Sequence, residues 1–99
     1  MIIFLNGSLN AGKSTVAELL KKKIPNTAII EVDKLRYFVD WLSLEESIHF
    51  NLKNASDIIK NFAKAGINSI IPYPLSQRNY DFLMKELKEM GGKKNVKSL

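Results

Sequence analysis

Met1-Ile2-Ile3-Phe4-Leu5-Asn6-Gly7-Ser8-Leu9-Asn10-Ala11-Gly12-Lys13-Ser14-Thr15 opens the chain. Five apolar residues, two of them β-branched, run without interruption and stop at a polar residue and a glycine. That pattern predicts a short buried strand over residues 1–6. Residues 7–14 then fit G-x-x-x-x-G-K-[ST] at every fixed position. From background composition, such a match arises by chance in roughly a few sequences of this length per thousand. A helix is expected over residues 13–23, so the motif lies in a strand-to-helix turn, the context its mechanism requires.

The chemistry follows from the backbone. The glycines reach torsions that side chains forbid. The N–H groups of the turn can then face inward and cradle phosphate oxygens, with the helix N-terminus behind them. This makes Gly7, Ser8, Asn10, Ala11, Gly12, Lys13, Ser14 and Thr15 the candidate nucleotide-binding residues. Lys13 is placed to reach the β- and γ-phosphates, Ser14 to give its hydroxyl to Mg²⁺, and Thr15 to touch the α-phosphate.

Working outward, Val16, Leu19, Leu20 and Ile24 are expected on one side of the first helix, and Pro25-Asn26 breaks it. Residues 28–32 read as a second strand and 34–42 as a short helix. Ser43 and Glu46 have capping-box spacing. Beyond them Ile48, Leu52, Ala55, Ile59 and Phe62 recur at helical intervals, one buried face of a long helix, with Gly66 just past its end. Residues 67–71 read as a third strand, closed by Pro72 and Pro74. Ser76 can cap a last helix with Tyr80, Leu83, Leu87 and Met90 inward, ended by Gly91. Strands alternating with helices imply an α/β fold in which a parallel sheet of about three strands lies between helical layers. Residues 1–90 form one domain on this reading, and residues 91–99 a basic flexible tail.

The gross composition removes several classes. The chain has 99 residues, enough for one small domain, and no cysteine. A single histidine, His49, leaves no histidine metal cluster. No apolar run approaches a membrane span, and the first residues lack a signal peptide's basic start, so a cytoplasmic protein with no membrane partner is expected. The net charge is +5, but Lys93, Lys94 and Lys97 of the tail account for three of these charges. The Lys21-Lys22-Lys23 run sits where cations favour a helix C-terminus. Solvated lysines explain the excess, and no nucleic-acid partner is expected.

Two further residues carry chemistry. Asp33 falls just past the second strand, where parallel α/β sheets bind ligands. It could activate an attacking hydroxyl or hold Mg²⁺ through water, or it could cap the next helix. Arg36 lies one turn on and could fork onto an acidic substrate group, or simply pair with Asp33 at the surface. Lys13, Asp33 and Arg36 are thus the candidate catalytic residues. Tyr37, Phe38 and Trp41 could wall a substrate pocket, although packing against the sheet is the default for such rings. Arg78 and His49 read as surface residues.

With these residues in view, the chain resembles the small P-loop kinases that phosphorylate hydroxyl groups: chloramphenicol phosphotransferase, shikimate and gluconate kinases, the kinase half of polynucleotide kinase and the zeta-toxin relatives. The stretch from Ile2 to Arg36, with GSLNAGKST and VDKLR, carries the likeness. The resemblance implies a P-loop NTPase type of sheet, ATP and Mg²⁺ as cofactors, a small-molecule hydroxyl as acceptor, Asp33 as base and Arg36 on the substrate. Residues 70–75 offer no Walker B carboxylate, and the family's lid arginines have no counterpart here. The first strand is central in the family, which would leave its far side an open edge prone to self-association. A kinase acting on a small-molecule hydroxyl and a truncated, non-catalytic nucleotide-binding remnant both fit these features.

Overall fold

The computed structural model describes residues 1–5, 12–39, 43–73, 75–88 and 96–98. Its elements in chain order are β1 (Ile2–Phe4), α1 (Lys13–Lys23), β2 (Thr27–Ile29), α2 (Val32–Leu35), a 3₁₀ turn (Arg36–Phe38), α3 (Leu44–Lys64), β3 (Asn68–Ile71), α4 (Gln77–Leu87) and β4 (Val96–Ser98). The four strands form one parallel sheet in the order β2-β3-β1-β4.

Direction and handedness together set the layers. From β1 the chain steps two places to β2, then returns to β3 and passes over β1 to β4. Right-handed crossovers that reverse direction put their helices on opposite faces. Accordingly α1 packs one face through Ala17, with Leu20 and Ile24, against Ile3, Leu5 and Ile70. α3 and α4 cover the other, where Leu52, Ala55, Ile59, Leu83 and Leu87 meet Ile2, Phe4 and Ile71. β1 and β3 feed both layers by the alternation of their side chains.

α3 has strong signals at both ends. The Ser43 hydroxyl accepts from the Glu46 backbone N–H at 3.2 Å and donates to the Glu46 carboxylate at 2.9 Å. At the other end Gly66 sits at φ +77°, its N–H bonds the Ala63 carbonyl and the Ile67 N–H reaches back to Phe62. This pairing is a Schellman motif, which depends on a left-handed residue. A Cβ at Gly66 would meet no atom within 4 Å, so its cost is conformational alone. Gly66→Ala is expected to destabilise by about 1 kcal/mol and to lower the melting temperature by about 4–8 °C, measurable by thermal circular dichroism. α4 starts as expected, with the Ser76 hydroxyl accepting from the Asn79 N–H. Tyr80 packs edge-on against Phe4 at 5.6 Å.

Three expectations are corrected. The sheet has four strands, not three: part of the tail, Val96–Ser98, pairs in parallel with β1. β1 is central, as expected, but its far side is therefore covered, and the open edge argued for self-association is not there. On α1, Val16 and Leu19 are exposed rather than inward. The helix turns its Ala17–Leu20–Ile24 stripe to the sheet, because the small Ala17 lets the backbone approach closely. Finally, the helix expected over residues 34–42 begins at Val32, and its α-helical part is only four residues long.

At the amino edge of the sheet, Asn68 ties three segments together. Its Oδ1 accepts from the Met1 ammonium, its Nδ2 donates to the Pro25 carbonyl, and its N–H donates to Asn26. Among the described residues no helix is long and apolar enough to cross a membrane.

Candidate phosphate and acceptor site

All four strands are parallel, so their carboxyl ends lie along one edge of the sheet. The chain leaves β1 toward β2 but later crosses to the other side of β1. The end of β1 is therefore the switch point where such sheets open a crevice. Residues 7–11 of the glycine-rich motif follow that end directly; Gly7, Ser8, Asn10 and Ala11 lie outside the described residues. Leu5 holds the approach, its N–H donating to the Ile71 carbonyl of β3 at 3.0 Å.

Gly12 is the N-cap of α1, at φ +91° and ψ −7°. This left-handed conformation is the torsional reason for glycine here, since a Cβ would meet nothing within 4 Å. Lys13 and Ser14 are the first two residues of the helix and Thr15 is exposed in its first turn. Gly12 has no side chain with which to cap the N-terminus, and no acidic residue stands in the first turn. The last turn carries Lys21, Lys22 and Lys23. Charge is thus arranged favourably at the C-terminus, while the first N–H groups at the other end have no carbonyl partner within the helix. An anion satisfies both the dipole and those donors.

Asp33 is the second residue of α2 and exposed. It stands beyond the carboxyl end of β2, inside the helix rather than at its cap position. The strand is held there by the Ile30 N–H donating to the Ile70 carbonyl at 2.8 Å. Beside it Lys34 pairs with Glu31. The hydrogen bond and charge of Glu31 raise the Lys34 ammonium above its ordinary pKa. Arg36 opens the 3₁₀ turn. The sheet thus brings the carboxyl ends of β1 and β2, and with the latter the start of α2, to the same edge, with β3 between the two strands.

The rings after Asp33 depart from the packing expected of them. Tyr37 is 69% exposed and Phe38 81%; Trp41 lies outside the described residues. The exposure of this pair had no sequence signal, because helical spacing alone placed them against the sheet. Arg78 is exposed in the first turn of α4. His49 is exposed, with its ring tilted against Phe82 at 4.3 Å. With Glu45, Glu46, Phe50 and Lys53 it lines an open hollow of about 500 Å³ on α3. Among the described residues, no cluster of three or more His, Asp or Glu is placed to hold a metal.

No family model matches the chain, and no curated protein matches it. Among solved structures, the crystal structure of APE1195 superposes on all of this chain with a TM-score of 0.71 and 21% identity. The likeness is one of fold. The chain spans 57% of that structure's chain.

Proposed function

We propose that the chain is the nucleotide-binding part of a P-loop phosphotransferase that moves the γ-phosphate of ATP to a hydroxyl of a small molecule. The observation that carries this reading is the complete G-x-x-x-x-G-K-[ST] motif between the central strand and α1, with its second glycine, Gly12, left-handed at the N-cap of that helix. The β2-β3-β1-β4 order, with β1 in the middle, supports the P-loop NTPase type of sheet.

In this mechanism the backbone of residues 7–14 and Lys13 bind the triphosphate, and Lys13 stabilises charge on the transferring group. The Ser14 hydroxyl would hold Mg²⁺, which when bound supplies neutralising charge at the phosphates; the residue types of the motif fit such a group. Asp33 accepts the acceptor hydroxyl's proton as that oxygen bonds to the γ-phosphorus. The bond from the γ-phosphorus to the β–γ bridging oxygen breaks, and ADP leaves. Arg36 binds the acceptor.

Calorimetric titration with Mg·ATP tests the reading: micromolar binding supports it, and no binding by the folded chain overturns it. ADP production with a panel of alcohols separates the chemistry from binding. Asp33→Asn is expected to lower turnover by about 10²–10⁴-fold with Mg·ATP affinity unchanged; full turnover in that variant removes Asp33 as base. A second reading, a non-catalytic nucleotide-binding remnant, is favoured by residues 70–75, which offer no carboxylate after β3. It predicts Mg·ATP binding with no ADP production.

A further inference from the structure

α1 and α3 each leave apolar side chains in solvent, and the charges beside them are opposite. On α1, Val16 is 44% exposed and Leu19 52%, and the exposed Lys23 stands one turn beyond Leu19. On α3, Phe50 is 57% exposed in the open hollow, with Glu46 one turn before it and Lys53 one turn after it. Along the chain, α1 thus runs from apolar to basic and α3 from acidic to apolar. Residues four apart rise about 6 Å along a helix. Two such helices laid antiparallel therefore bring Leu19 against Phe50 and Lys23 against Glu46 at once. Val16 then lies level with Lys53, whose aliphatic stem can cover it. The negative end of the α1 dipole meets the positive end of the α3 dipole in the same alignment. These charges are not matched within the chain. Among the described residues Lys23 and Lys53 form no ion pair, and the Glu46 carboxylate is met by the Ser43 hydroxyl alone. Single exposed apolar residues are ordinary; two stripes that complement each other in order, spacing and charge are not.

We propose that α1 of one copy docks in the α3 hollow of a second copy of this chain. α1 lies on one face of the sheet and α3 on the other. The contact is therefore heterologous: a docked copy keeps one of its two surfaces free and can take on another copy. One helix laid on another buries less than the roughly 1,000 Å² of a stable complex, so the association is weak and is read at high protein concentration. Docking uses no residue of the phosphate loop and stands apart from the phosphotransferase reading.

Sedimentation equilibrium of the whole chain, up to about 1 mM, tests it. The average mass is expected to rise from 11.2 kDa past that of two chains without levelling. A mass that stays at one chain, or that levels at two, overturns the docking. Leu19→Ser and Phe50→Ser each remove one surface at an exposed position, and each alone is expected to weaken association by at least about 10-fold. Mixed in equal amounts, they are expected to form a dimer that grows no further, because the Phe50→Ser chain still offers α1 and the Leu19→Ser chain still offers the hollow. A mixture that stays monomeric, or a single variant that associates like the parent, overturns the docking. Lys23→Glu is expected to weaken association of the parent by about 2- to 5-fold; unchanged association in that variant overturns the antiparallel alignment and the docking with it.

Discussion

Lys13→Ala is expected to weaken Mg·ATP binding by at least about 100-fold while the far-UV circular dichroism and melting temperature stay within error of the parent. Lys13 is the first residue of α1, directly after the left-handed Gly12. On the proposed reading its ammonium contacts two phosphates. Hydrogen bonds to charged groups contribute about 1.5–3 kcal/mol each, and 100-fold corresponds to about 2.7 kcal/mol. The fold should be indifferent, because alanine is the best helix former and the α1 stripe facing the sheet is Ala17, Leu20 and Ile24. Calorimetry reads the affinity. Unchanged affinity would sink the assignment of residues 7–14 as a nucleotide loop, whatever the fold.

The same substitution separates the motif from general electrostatics. The chain carries +5 overall, and α1 alone ends in three lysines. A polyanion attracted by this surplus loses little when one charge of many is removed, and its binding falls steeply with salt. A triphosphate held in a loop loses a specific contact, and most of its affinity survives moderate salt. Lys22→Ala in the last turn of α1 is therefore the matched control, expected to leave Mg·ATP affinity unchanged.

Legibility followed the strength of local signals. α3 was readable at both ends because its cap and stop are side-chain and glycine chemistry: Ser43 with Glu46 at the start, Gly66 in a left-handed conformation at the end. Its stripe reached the core as spaced, with Leu52, Ala55 and Ile59 fully buried. β4 was not readable. Residues 91–99 offer only Val96 as an apolar strand former, and a three-residue strand pairing in parallel with β1 owes its place to a distant backbone, not to local pattern. The burial of α1 was misjudged because large residues draw the eye: Val16 and Leu19 are exposed, while Ala17 is fully buried. At the site, the motif announced itself by identity and spacing. Asp33 was legible as a residue at the carboxyl end of β2, but not as a residue inside α2, since one strand-to-helix boundary is worth two residues of ambiguity. The exposure of Tyr37 and Phe38 had no sequence signature, because aromatic spacing looks the same whether the face meets the sheet or water.

Phe4→Ala is expected to remove about 4–6 kcal/mol, a large part of the chain's stability, at 25 °C. Phe4 is fully buried and stands in β1, the strand that pairs on both sides, with β3 and with β4. Its ring meets Tyr80 of α4 edge-on and belongs to the cluster that joins α3 and α4 to the sheet. Truncating a buried phenylalanine costs about 3–5 kcal/mol, and the lost aromatic contact is worth a further ~1 kcal/mol. A chain of 99 residues has about 5–10 kcal/mol in total, and its small size leaves a thin core. The vacancy cannot close easily, because the β1 backbone is fixed by its two neighbours and α4 is held by Leu83 and Leu87 in the same cluster. Urea denaturation followed by circular dichroism measures the loss. A midpoint shift equivalent to less than about 1 kcal/mol would mean that α4 moves to fill the space, and that the layer over this face of the sheet is looser than its burial implies. Phe38→Ala is the control on the same residue type: its ring is 81% exposed, and its removal should leave the urea midpoint unchanged.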